Sequence, residues 1–350
     1  MAASTAPAST SGLYADPRED WLALHCEDII DPARPIIDPH HHLWDRGGLR
    51  YMIEEMAEDA ASGHNILATV YVDCRSMYRA SGPETFRPIG EVEFANGVGA
   101  MAASGGYGKA LICAGIVGHV DLRLGEAARA VLEAEIAAGN GRFRGIRHSS
   151  AWDADPDVAG MYATRPSGLL LDSSFRKGFA CLAPLGLSFD AWLFHPQLGE
   201  FTDLARTFPD TRICLDHCGG PVGLGRYANR REEIFGIWKA SITEAAKCPN
   251  VVVKLGGLAM RLLGHDFHER PKPPSSEQAA AAWRPYIETC IEAFGPQRCM
   301  FESNFPPDKG QCSYLVIFNA FKRIAAQYSE AEKTALFSRS AADFYRLPLA

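Results

Sequence analysis

Short apolar runs rich in β-branched residues alternate along the chain with longer amphipathic stretches. Alternation of side chains suits a strand, and recurrence every three or four residues suits a helix. Strands are expected at 35–40, 66–73, 110–117, 143–148, 189–195, 211–217, 250–255 and 298–303. Helices are expected at 90–101, 126–138, 175–183, 198–208, 231–248, 276–294, 313–326 and 330–345. Helix-start chemistry supports two of them, since Ser276-Glu277 follows Pro273-Pro274 and Ser329 precedes Glu330 and Glu332. Strands alternating with helices predict an α/β fold with a parallel sheet, and eight units favour a closed (βα)8 TIM barrel over an open doubly wound sheet. The open sheet is the structural alternative. No Gly-x-Gly-x-x-Gly occupies a strand-to-helix turn, so its usual dinucleotide role has no support.

Composition narrows the function. A chain of 350 residues, 47% hydrophobic, suits a single barrel domain with insertions over 31–350. Residues 1–30 read as a tail, poorly ordered at its start, because the opening stretch is Ala, Ser, Thr and Pro with neither a basic start nor an apolar centre. Net charge is −7 and the Lys and Arg residues are scattered, which argues against a nucleic-acid or anionic membrane partner. No apolar run approaches the ~18 residues needed to span a bilayer. The ten cysteines form no Cys-x-x-Cys pair and read as reduced, mostly buried thiols, so the expected compartment is the cytoplasm.

The polar residues cluster at the expected strand ends, where a barrel of this type builds its site. His40 and His42 end the first strand, Arg147 and His148 the fourth, His195 the fifth, His217 the sixth, and Glu302 with Asn304 the eighth. His40 and His42 share one strand face, ~6–7 Å apart, and His41 takes the other. Such a His-x-His pair can chelate a divalent cation, with His195 as a further ligand. His217 suits a proton shuttle, and the planar fork of Arg147 suits an anionic group of a small-molecule substrate. His148 and Asn304 are further candidates for substrate contact. Each residue also has a plainer reading: His195 before Pro196 as a strand terminator, His217 as a turn cap, Arg147 as a partner of Asp153. Two long loops, 74–88 with Tyr78, Arg79 and Arg87, and 256–275 with Met260, Arg261 and Phe267, are expected to cover the substrate, Tyr78 touching it. His25, His64, His119, His265 and His268 read as surface or loop residues.

Asp38-Pro39-His40-His41-His42-Leu43-Trp44-Asp45, Gly145-Ile146-Arg147-His148, Leu215-Asp216-His217-Cys218-Gly219-Gly220-Pro221, Val253-Lys254-Leu255-Gly256-Gly257-Leu258 and Cys299-Met300-Phe301-Glu302-Ser303-Asn304-Phe305-Pro306 together resemble the landmarks of the amidohydrolase superfamily, and within it the amidohydrolase-2 branch. The resemblance implies a distorted (βα)8 barrel and a hydrolase, with relatives among the 2-pyrone-4,6-dicarboxylate and sugar-acid lactonases. It matches His40 and His42 to the first-strand metal pair, His217 to the sixth-strand histidine, and Arg147 to an arginine that grips a substrate carboxylate. The implied cofactor is zinc, with manganese as an alternative, and metal-independent action stays open because some lactonases of the branch work without an ion. Asn304 stands where the family usually has an aspartate, and an amide cannot take a proton from water near neutral pH.

Glu302, two residues earlier, then has two readings. It replaces the absent base, or it forms a structural ion pair with Lys254. The expected activity is opening of a lactone or related carbonyl ester by water. The alternatives are a decarboxylase of the aminocarboxymuconate-semialdehyde type and a non-catalytic ligand-binding barrel. A homo-oligomer is compatible with every one of these.

Overall fold

The computed structural model describes residues 12, 14–160 and 165–347. Among the described residues there are ten strands: β1 (Pro35–His41), β2 (Trp44–Arg46), β3 (Leu49–Tyr51), β4 (Asn65–Val72), β5 (Leu111–Gly118), β6 (Phe143–Arg147), β7 (Ser188–Ala191), β8 (Ile213–Leu215), β9 (Val251–Leu255) and β10 (Cys299–Phe301). β2 and β3 form a small antiparallel hairpin. The other eight pair in parallel in the order β1-β4-β5-β6-β7-β8-β9-β10. The ring is nearly closed, because past the end of β10 the Asn304 amide donates to His40 O (3.0 Å) and the His42 amide donates to Phe305 O (2.7 Å). This is the TIM barrel that the alternation of strand and helix patterns predicts.

Helices pack around the ring for the reason the pattern implies. In Tyr314–Ile324, Ile317, Phe318, Phe321 and Ile324 recur at helical spacing and are buried. Burying each such side chain contributes ~1.5–3 kcal/mol. Ser313 caps this helix by accepting from Val316 N (3.3 Å). Inside the ring, Ile37, Cys214 and Met300 form a cluster with Phe344, Tyr345 and Leu347. Each of the three precedes a polar residue of the same strand or strand end (His40, Asp216, Glu302), so the C-terminal helix Ser340–Tyr345 plugs the barrel beneath the polar layer.

Several expected strands are shorter than the apolar pattern suggests. The runs 189–195, 211–217 and 298–303 are strand only over β7, β8 and β10. Beyond those ends the chain turns: His195–Gln197 and His217–Gly219 are single 3-10 turns, and His217 and Asn304 have positive φ, 54° and 53°. The expected helix at 330–345 is present, with one wide turn at Ala335–Arg339. Part of the expected tail is built in, since Glu19–Leu22 is helical and Trp21 Nε1 donates to Arg270 O (2.9 Å). The expectation of a poorly ordered start falls on residues outside the described ones. No described helix is long and apolar enough to cross a membrane.

Candidate functional site at the barrel mouth

β1 delivers the histidine pair. His42 Nδ1 lies 2.8 Å from Val72 O, and since a carbonyl only accepts, that nitrogen carries the hydrogen and Nε2 keeps a lone pair. This Nε2 is 3.3 Å from Nε2 of His40, so the two rings do converge as strand alternation requires. His41 takes the opposite face, with its Nε2 2.8 Å from Thr69 Oγ1. Burial holds His40 and His42 well below the ordinary imidazole range.

A buried polar layer supports the pair. Glu302 Oε1 accepts from His217 Nδ1 (2.7 Å) and from the His217 amide (3.2 Å). Its Oε2 lies 2.8 Å from His40 Nδ1. Lys254 Nζ lies 3.1 Å from the same His40 nitrogen, so an acceptor and a donor compete for it. Of the two readings of Glu302, the ion pair with Lys254 is not built. Lys254 Nζ instead meets Asp190 Oδ2 (2.7 Å) and Asp216 Oδ1 (3.1 Å), and Tyr345 OH donates to the same Asp190 oxygen (2.6 Å). Burial alone would lower the Lys254 ammonium, but Asp190 and Asp216 hold it above its usual value. Burial also raises the Glu302 carboxyl well above the carboxylate range, with Lys254 opposing, and pulls His217 down to about 3. With Nδ1 of His217 held by Glu302, the ring lies 4.5 Å from that of His40 and reaches the cavity.

The remaining sequence-predicted residues divide. Arg147 is at the floor, but its fork is engaged: Nε donates to Asp73 Oδ1 (2.7 Å), Nη2 to the Asp73 carbonyl, and Nη1 lies 3.3 Å from His40 Nε2. Its partner is Asp73, not Asp153, which instead bonds Arg226 and Tyr227. His148 and Asn304 line the cavity. Asn304 does not share a strand face with Glu302, because β10 has already ended. Its Nδ2 donates to buried Asp308 (2.8 Å). Two residues are placed elsewhere. His195 sits past the end of β7, accepts from the Val222 amide at Nδ1 (3.3 Å) and packs on Tyr227, so it does not join His40 and His42. Tyr78 does not line the cavity, since its loop folds back and buries its hydroxyl.

Asp216, Asp190 and Asp73 were not singled out by sequence reasoning, and His119, expected to be a surface or loop residue, instead lines the cavity. Asp216 had a signal, its place beside His217 at a strand end. Strand alternation would send the two to opposite faces, but the turn at His217 lets both enter the barrel.

The mouth opens into a cavity of about 290 Å³. Five arginines (46, 75, 123, 147 and 165) and two aspartates (73 and 121) are among its lining residues, a balance that favours an anionic ligand. Trp44 and Trp192 supply flat apolar walls. At the floor, the carboxylates of Asp73, Asp190, Asp216 and Glu302 face two permanent cations, Lys254 and Arg147. Neither Asp216 oxygen receives an aligned hydrogen bond. Donor atoms of His40, Asp216 and His217 lie within 4.8 Å of one another. Carboxyl oxygens beside converging imidazole nitrogens are a donor set that fits a divalent cation.

Comparison with known proteins identifies the family. An uncharacterized protein, y4mH, of Sinorhizobium fredii is 34% identical over 89% of this chain and 98% of its own length. An L-fucono-1,5-lactonase of Burkholderia multivorans is 27% identical over 89% of this chain and 96% of its own. A crystal structure of an amidohydrolase from Burkholderia multivorans superposes with a TM-score of 0.65 at 25% identity, covering 89% of this chain and 99% of the other. The Amidohydrolase family model matches residues 37–347, from within β1 to the end of the C-terminal plug, and over that span the chain is a hydrolase of the Amidohydrolase family.

Proposed function

We propose that the protein opens a lactone bearing an anionic group, by attack of water on the ring carbonyl. The observation that carries this is His217: one ring nitrogen is fixed by a buried carboxylate at 2.7 Å, and the ring reaches an arginine-rich cavity. A neutral imidazole so oriented takes a proton from water and returns it to the leaving oxygen. Glu302 is fully buried and acts through His217, as a positioning group that fixes its tautomer. Arg147 brings positive charge to the floor where a carbonyl oxygen would become negative. Asn304, with its NH2 group committed to Asp308, presents its carbonyl oxygen as an acceptor. Similarity to the L-fucono-1,5-lactonase supports a lactone as the electrophile.

His40 and His42, whose Nε2 atoms converge at 3.3 Å, are the proposed ligands of one divalent ion, zinc or manganese. A bound ion of this kind polarises a carbonyl and lowers the pKa of water towards ~7. The test is metal analysis of the purified protein. About one equivalent is expected in the wild type and in His195→Ala, and none in the His40→Ala/His42→Ala double variant. Unchanged stoichiometry in the double variant would sink the ligand assignment. Full turnover by protein stripped with a chelator would show that Arg147 and His217 suffice.

A further inference from the structure

His119 and His148 follow directly on β5 and β6 and line one wall of the cavity, with ring centroids 5.1 Å apart. Their backbone partners force opposite tautomers. His119 Nδ1 lies 2.9 Å from Arg147 O, which can only accept, so in the neutral ring Nδ1 bears the hydrogen and Nε2 the lone pair. His148 Nδ1 receives the Leu122 amide at 3.3 Å, which can only donate, so the hydrogen of that ring is on Nε2. Burial holds His148 neutral, with His119 adding to the effect. Neither Nε2 has a protein partner among the described residues, and neither is sealed from the cavity. The wall therefore presents one acceptor and one donor side by side. Arg123 and Arg165 stand near the same pair, with Asp121 held by Arg123 at 2.7 Å.

A hydroxyl group both donates and accepts, so neighbouring hydroxyls answer both ring nitrogens at once, whereas a flat carboxylated ring offers nothing to His119 Nε2. We infer that the His119–His148 pair is a specificity subsite for hydroxyl groups, and that the ligand class of this cavity is a polyhydroxylated acid or its lactone bearing a carboxylate. The inference rests on the proposed lactonase reading for its chemistry, but recognition can be tested without turnover.

Glucarate and adipate serve as probes: both are six-carbon dicarboxylates and they differ only in hydroxyls. By titration calorimetry the wild type should bind glucarate at least about 10-fold more tightly than adipate, since unpaired polar groups in a built site reject the analogue lacking them. His119→Phe and His148→Phe should each remove most of that difference, with adipate affinity changed less than about 2-fold. His148→Gln, whose amide can still accept from Leu122 and donate into the cavity, should retain it. This last variant keeps the test decisive should His148→Phe fail to fold. Equal affinity of the wild type for the two acids, or a preference that survives both Phe variants, would overturn the subsite. Failure to hydrolyse any lactone, with the glucarate preference intact, would overturn the lactonase reading and leave the subsite standing.

Discussion

Replacing Glu302 by Gln separates positioning from simple structural support. The carboxylate is fully buried, accepts two hydrogen bonds from His217 and lies 2.8 Å from His40 Nδ1. An amide of the same shape can still accept from His217 through its oxygen, but where Oε2 stood it presents an NH2 group to His40. Lys254 keeps Asp190 and Asp216, so no buried cation is orphaned. The stability change should therefore be small, ~1–2 kcal/mol, about the net worth of the one contact, Oε2 to His40, that the amide cannot keep. Turnover should suffer far more. A wrong tautomer in a comparable carboxylate–histidine pair costs up to ~10⁴-fold, and loss of a group that orients a ligand costs ~10–100-fold. A fall in kcat of ~10²-fold corresponds to ~2.7 kcal/mol of transition-state stabilisation. The assay is lactone hydrolysis in parallel with urea denaturation, with Glu302→Asp expected to recover part of the rate. A variant that is clearly destabilised yet fully active would refute the positioning role.

Lys254→Met should cost ~3–5 kcal/mol in urea denaturation, because it leaves Asp190 and Asp216 as uncompensated buried charges; a loss under ~1 kcal/mol would show that neither is ionised. Glu91 is buried, its carboxyl is pushed up to about 7 by burial with Asp73 adding to it, and its Oε1 accepts from Tyr71 OH and from the Cys74 and Ser76 amides. The folded state thus holds a proton that the unfolded chain releases near ~4.3, so the group costs stability progressively as pH rises from there towards 7. Glu91→Gln keeps the acceptor and removes the charge, and its stability relative to wild type should grow between pH 5 and pH 8; parallel stability–pH curves would contradict this.

Much of the site was legible because barrel strands place their last residues at one mouth, so His40, His42, Arg147, His148, His217 and Asn304 could be read as neighbours without coordinates. What could not be read was where each strand stops. Alternation holds only while the backbone is extended, and the left-handed turns at His217 and Asn304 end it. Asp216 therefore joins His217 inside the barrel, and Glu302 and Asn304 part ways. Pairing across the barrel was equally hidden. Lys254 finds Asp190, 64 positions away in the chain, and Arg147 finds Asp73 across 74. His195 looked like a ligand because its apolar run seemed to carry it to the mouth. The strand ends four residues earlier and the ring turns to Tyr227.

The most direct measurement of the central claim is turnover of a hydroxylated, carboxylated lactone such as glucarolactone in water enriched in oxygen-18, followed by mass spectrometry of the product and of the headspace gas. The account predicts a ring-opened acid carrying one heavy oxygen in the newly formed carboxylate, with no carbon dioxide released. Release of carbon dioxide, or an acid without the heavy oxygen, would contradict it.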